Sequence, residues 1–485
     1  MSFSTALSNA LSGLTATTRT INAISSNVAN ASTPGYGRRE VLLSSLAIGG
    51  LGGGVRVDGV ARITDQAAIA DRRAADAALG DAALRTDFLA RVEDVTGIPG
   101  SGGSLSDRFT TLEVALVDAA GRPDQPSRLI AIRDAAVALV GQFNRISDDI
   151  QAQRAAADAG IARQVSDLNG ALARVADLNS AIRARQGAGT DTGALADERQ
   201  RLIDGISSIV PVRAVARDGA QIALYTTTGA ALVDGSASRL DFSPAGFIDP
   251  AMTLAGGALS GLALNGKPVA TSGERATFAG GALAANFALR DDLAVSANAG
   301  LDALARDLIE RFADPGVDPT LAPGAPGLFT DAGAAFVVGT EPGLAGRIAF
   351  SVLADPASGG DVARLRDGLG AAAPGPVGNS AQLTAIAAAL AAPRVPASGG
   401  FGGIARSAPE LAADFLSRIS TARQAAETDR SFAAARQQAF TAEELRAGVD
   451  TDQELQTLLV AEQAFAANAR VLQTIDDMMA TLLRI

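Results

Sequence analysis

Residues 7–31 read LSNALSGLTATTRTINAISSNVANA, and the placing of the larger apolar side chains in this stretch decides how the chain begins. Leu7, Leu14, Ile21 and Val28 stand seven apart, and Ala10, Thr17, Ile24 and Ala31 each follow by three. This a/d heptad pattern predicts an amphipathic helix with a coiled-coil-like seam. The helix is expected to stop near Asn30. Pro34 disfavours helix at Thr33, Gly35 permits a turn, and Asn30 suits the left-handed conformation at a helix end.

The other end of the chain mirrors this one. Leu458, Phe465, Leu472 and Met479 repeat the spacing, with Ile475 and Leu482 three residues after the last two. Asp450 and Gln453 resemble a capping box, and Asp450, Asp452 and Glu454 complement the positive end of the helix dipole. From Thr451 to Arg484 such a helix makes a rod of about 50 Å. Thr17 and Asn468 fall at d-like positions, where a polar side chain either sets register and oligomeric state or faces solvent. Apolar stripes of this kind usually belong to an intramolecular core. Two thin helices, however, gain less from burying them than ordering the chain costs, so the pair is expected to need neighbouring copies.

Between the ends, helical spacing runs through Ile63 to Val95, Leu105 to Val117, Pro126 to Ala157, Ile161 to Arg185 and Gly193 to Ile209. From Pro211 the period changes. Val212 to Ala216, Gln221 to Thr226, Ala231 to Val233 and Leu240 to Phe242 are short runs divided by Asp-Gly and Gly turns, which predicts β-hairpins, with weak β character as far as Phe278. Helix returns over Phe287 to Phe312 and from Pro409 to about Arg446, with Pro/Gly stretches and a short Ala-rich helix between them. The predicted fold is mainly α with a β-containing inserted domain, and elongated. Residues 1–62 and 447–485 form a coiled-coil-like terminal domain; 63–210, 280–313 and 406–446 form a helical second domain; 211–279 form an outer β-rich region. Residues 314–405 form a Pro/Gly-rich variable region that can belong to the outer domain.

The composition excludes much chemistry. The 485 residues contain no Cys, His or Trp, which removes disulfides, thiolate nucleophiles, imidazole bases and the usual zinc ligands. A net charge of −11 opposes binding to nucleic acid, and no apolar run approaches the length of a membrane span. The start lacks the features of a cleaved secretory signal. Gly261, Gly266 and Lys267 match part of a P-loop, but Pro268 replaces the magnesium-binding hydroxyl. Asp191-Thr192-Gly193 matches a protease triplet yet is better read as a helix cap. The run Gly49, Gly50, Gly52, Gly53, Gly54 fits a flexible loop and no dinucleotide fingerprint. Adjacent carboxylates at Asp148-Asp149, Asp291-Asp292, Glu443-Glu444 and Asp476-Asp477 read as solvated helix faces. No cofactor, metal or catalytic residue is expected. Tyr36 either anchors its loop against a partner helix or packs locally.

Ile24-Ser25-Ser26-Asn27-Val28-Ala29-Asn30-Ala31-Ser32-Thr33-Pro34-Gly35-Tyr36 resembles the N-terminal pattern of bacterial flagellar axial proteins, the rod, hook and hook-associated subunits. Gly448-Val449-Asp450, Glu462-Gln463-Ala464-Phe465, Asn468 to Leu472 and Met478 to Leu483 are similar to the family's C-terminal helix. The helical block, with Phe143-Asn144, Gln153-Arg154 and Asp197-Glu198-Arg199, resembles the hook-associated members more than hook or rod subunits. Met1 to Leu7 also suits a hook subunit, and Gly37 departs from the commoner Ser.

The resemblance implies a structural, non-enzymatic subunit of the hook–filament junction, outside the cell, exported unfolded through the flagellar secretion channel without a cleaved signal. It implies self-association in a helical ring, with the hook protein and a second junction protein as neighbours and a cap protein and an export chaperone as further partners. The assembly residues it implies are Leu7, Leu14, Ile21, Ile24, Asn27, Val28, Asn30, Pro34, Gly35, Tyr36, Leu458, Phe465, Asn468, Leu472, Ile475, Met479 and Leu482. The alternatives are the hook subunit itself and, from another class, a carboxylate-based glycan hydrolase in the central region.

Overall fold

A computed structural model describes residues 3–48, 51–273 and 276–483. Helix α1 (Phe3–Asn30) is followed by the antiparallel hairpin β1 (Arg38–Ile48) and β2 (Leu51–Ile63). Helices α2 (Gln66–Thr96), α3 (Leu105–Gly121), α4 (Pro126–Gly187) and α5 (Gly193–Ile209) come next. A four-stranded antiparallel sheet is built from β3 (Val212–Arg217), β4 (Gln221–Thr226), β5 (Ala231–Asp234) and β6 (Ser236–Ala237), in that order. A second small sheet comprises β7 (Leu240–Asp241), β8 (Leu262–Leu264) and β9 (Lys267–Val269). Helix then resumes with α6 (Gly281–Ala288), one π turn (Leu289–Leu293) and α7 (Ala294–Phe312). Strands β10 (Phe329–Asp331) and β11 (Ile348–Phe350) flank α8 (Leu344–Arg347), and α9 (Arg364–Asp367) and α10 (Ala381–Ala391) lead to α11 (Ala408–Arg446) and α12 (Thr451–Leu482).

Some expectations are corrected here and others are met. Helix α4 runs unbroken for 62 residues, because Gly160 lies within it and does not divide it. A Cβ at Gly160 would stand 3.2 Å from Asn286 Nδ2, so the residue permits close approach of another helix. Asn30 is not left-handed: Gly35 takes the positive φ (+76°), and Asn30 Nδ2 donates to Ser26 O at 2.9 Å. Gly52, Gly53 and Gly54 lie in strand β2 and not in a flexible loop, while Gly49 and Gly50 lie outside the described residues. The partial P-loop is a hairpin instead, since Asn265 (φ +51°) and Gly266 (φ +74°) make the tight turn between β8 and β9. Thr192 is the N-cap residue of α5 and makes no side-chain cap hydrogen bond; Asp191 Oδ1, one residue earlier, accepts from Gly193 N, the first amide of the helix, at 2.9 Å. Asp450 caps α12 through the amides of Asp452 and Gln453.

Two apolar cores are strung along α4. Its first half contributes Leu139, Phe143 and Ile146 to a core shared with Phe109 of α3, Leu304 of α7, Ile386 of α10 and Phe415 of α11. Residues of the 314–405 stretch, including Phe329, Leu365 and Leu383, also pack in this core. The second half contributes Val165, Leu168 and Leu172 to a core closed by Ile203, Leu224, Leu240 and Phe287.

Where the cores meet, the π turn places Arg290 fully inside the protein, paired with Asp158 (2.7 Å) and Asp291 (2.9 Å) and lying over the rings of Phe242 and Phe287. Asp291 therefore belongs to a buried ion pair and not to a solvated face. Asp149 likewise pairs with Arg91, and Glu444 with Arg72.

Candidate assembly surface at the chain termini

Helices α1 and α12 pack against each other antiparallel: Asn468 lies over Gly13, and Arg38, just after α1, reaches Glu454 near the start of α12 at 3.7 Å. A Cβ at Gly13 would meet Asn468 Nδ2 at 2.8 Å, so a side chain there requires the Asn468 amide to move. Asn468 thus sits in the helix contact, and Thr17 turns its hydroxyl back to Gly13 O and Leu14 O.

The pair divides each apolar stripe in two. Ala10, Ala16 and Ile24 of α1 and Ala461 and Ile475 of α12 are buried between or beside the helices. Only two of these five carry large side chains. Leu14, Ile21, Leu458 and Leu472 are half-buried. Leu7, Val28, Phe465, Met479 and Leu482 face outward, Phe465 at 38% and Leu482 at 58% exposure. Leu11, Leu455, Leu459, Val460, Val471 and Met478 extend that outward apolar surface. Large apolar side chains left exposed together on one helix pair are the usual material of contact sites.

The segment after α1 is fixed by polar contacts. Asn27, fully buried, accepts from Arg39 N (2.7 Å) and Tyr36 OH (2.9 Å) through Oδ1, and donates through Nδ2 to Arg39 O (2.9 Å). Tyr36 therefore packs within its own chain, its ring 5.2 Å from the Arg39 guanidinium. Asp197 of α5 gathers the hairpin from the other side. It accepts from Gly37 N (3.0 Å), from Arg62 Nε (2.8 Å) and from Arg39. Gly54, at φ +100°, lets β2 lie on α1, and Val55 N donates to Ser12 Oγ at 3.1 Å. Pro34, Gly35 and Tyr36 line one wall of a cavity of about 380 Å³, whose other wall includes Thr441, Leu445 and Val449.

The sequence reading missed the hairpin and its ionic clamp. A signal was present in the alternation Val55-Arg56-Val57, but the strand opposite has no such alternation. Among the described residues there is no acidic cluster arranged to hold a metal and no helix long and apolar enough to cross a membrane.

The profiles of two flagellar families match the two ends: "Flagella basal body rod protein" over residues 7–36 and "Flagellar basal body rod FlgEFG protein C-terminal" over 446–485. These ends define a class, the axial proteins of the bacterial flagellum. Between them, "Flagellar hook-associated protein FlgK helical domain" matches residues 89–315. Across these three stretches the chain is similar to flagellar hook-associated protein 1.

It is 29% identical over 259 residues to that protein of Salmonella typhimurium, covering 52% of this chain and 46% of the relative. It is 27% identical over 259 residues to that of Escherichia coli, covering 52% and 47%. The chain thus spans about half the length of the curated relatives it matches. A solved flagellar hook junction protein FlgK from Burkholderia pseudomallei aligns over 54% of this chain and 46% of its own, at 19% identity and a TM-score of 0.43.

Proposed function

We propose that this chain is a non-catalytic structural subunit of the hook–filament junction, assembled as a helical ring of copies through α1 and α12. The observation that carries this reading is the outward apolar surface of the terminal pair, with Leu7, Val28, Phe465, Met479 and Leu482 uncovered. The hook protein and a second junction protein are its proposed neighbours in the flagellum, with a cap protein and an export chaperone as transient partners. The proposed division of labour gives assembly to 1–62 with 447–485, the helical rod to 63–210, 280–313 and 406–446, and the outer surface to the central β region.

The mechanism rests on marginal stability. Ala10, Ala16 and Ala461 bury little area, so the fully buried apolar contact rests on Ile24 and Ile475, with Leu14, Ile21, Leu458 and Leu472 only half-buried beside them. In the free subunit the terminal helices are then frayed, and they become rigid when subunits already in place cover their outer faces. Growth is thereby confined to an existing end.

Truncating residues 1–30 or 456–485 is expected to abolish incorporation while leaving the two cores folded. Normal flagella from either truncated chain would contradict the proposal. A strain lacking the chain is expected to show hooks without filaments under the electron microscope, and missing hooks would instead favour a hook subunit.

A further inference from the structure

Beyond Ile419, α11 runs to Arg446 with Ala433 as its one buried residue, packed along α2. Phe432, Arg436 and Phe440 follow one another at intervals of four and make one ridge on this helix. The Arg436 guanidinium lies 5.9 Å and 5.7 Å from the two ring centroids. In a chain with 4% aromatic residues, Phe432 is 66% exposed, and Phe440 is half-buried.

The other four arginines of α11 have carboxylate partners: Arg418 with Asp414, Arg423 with Glu93, Arg430 with Asp87, and Arg446 with Glu443. Arg436 has none among the described residues. An unpaired arginine between two aromatic rings that solvent still reaches has the composition of an interface hot spot.

A matching surface lies on α2 of the same chain. Asp76, Asp81, Asp87 and Glu93 of that helix all have arginine partners. Asp71 is exposed and has none among the described residues. Ala67, Ala70, Ala74 and Ala78 beside it are also exposed and leave a low surface into which rings fit.

We propose that the Phe432–Arg436–Phe440 ridge of one copy seats on the Asp71 face of α2 in the next copy, with Arg436 pairing with Asp71. The contact joins two different patches, so it is heterologous and propagates as a ring or helix instead of closing as a dimer. Asp76 faces Gln437 within the chain and the two helices run antiparallel, which places Asp71 roughly 9 Å along the axis from Arg436 at 1.5 Å per residue. That offset gives each added copy an axial step. The inference rests on the assembly reading above and assigns it a second contact, away from the terminal helices.

The test uses the full chain in cells lacking the native copy. Arg436→Asp and Asp71→Arg are each expected to lower the amount recovered in purified flagella by about ten-fold, and the double reversal to restore it to within about two-fold. Both sites are exposed, so the thermal unfolding of each variant should match that of the parent. Single reversals that incorporate normally, or a double reversal that fails to rescue, would overturn the contact.

Because the chain has no cysteine, co-expressed Ala67→Cys and Ala439→Cys chains carry one thiol each, at positions that face each other when the antiparallel sense of α2 and α11 is kept. Oxidation is expected to give mixed disulfides in flagella and far fewer when either chain is expressed alone; the absence of mixed disulfides also counts against the contact. The truncation of residues 1–30 separates the two claims. If it blocks incorporation while the reversals are neutral, only this contact falls; if it too is neutral, the assembly reading falls.

Discussion

Asp197 accepts hydrogen bonds from Gly37, Arg39 and Arg62, the first of them 160 residues away in sequence. Both guanidiniums are largely withdrawn from solvent, so removing their shared acceptor leaves two poorly solvated charges. Asp197→Ala should weaken docking of the hairpin by about 3–5 kcal/mol, the usual cost of breaking a buried pair from one side. Hydrogen exchange should then quicken over residues 38–63 while α4 stays protected, and unchanged exchange there would refute the clamp.

Asp302 offers a pH test. Burial pushes its carboxyl up to about 6, against the hydrogen bonds donated by Ala345 N and Gly343 N, each at 2.8 Å. Between pH ~4 and ~6 the folded chain keeps a proton that the unfolded chain has released, so this group's contribution to stability falls as pH rises through that window. Asp302→Asn should remove that slope. Denaturant titrations from pH 4 to 7 should show the stability difference between parent and variant shrinking with pH, whereas a constant difference would exclude Asp302 as the source.

Helix boundaries were legible where capping chemistry marks them. Asp450 announces the start of α12, and the Pro409 region that of α11, where Ser407 and Glu410 complete a capping box. The hairpin was not legible, because Leu42 and Leu43 straddle a register shift that destroys the period of two in β1. The break expected before Ile161 is absent: Gly160 costs the helix about 1 kcal/mol locally, yet it lies against Asn286 of α6, where a side chain would crowd that helix. At the candidate surface, the heptads disclosed the stripes but not their division. Spacing alone cannot say that Ile24 and Ile475 are buried while Phe465 and Leu482 turn away, because that depends on the crossing of two helices far apart in sequence.

On the scale of the whole molecule, α4 decides how the parts move together. Its 62 residues span about 93 Å and enter both cores, so the cores should unfold as one unit. Ala156 is exposed near the crossover, and Ala156→Pro removes a helical hydrogen bond there at a cost of about 3 kcal/mol. Calorimetry of the variant is expected to resolve two transitions where the parent gives one; a single transition in both would mean that contacts other than α4 couple the cores.

A shaft of this length, hydrogen-bonded from Pro126 to Gly187 without a joint, behaves as a lever. A sideways push on one core reaches the other as displacement instead of being absorbed in between. Whatever grips one arm therefore also steers the far one.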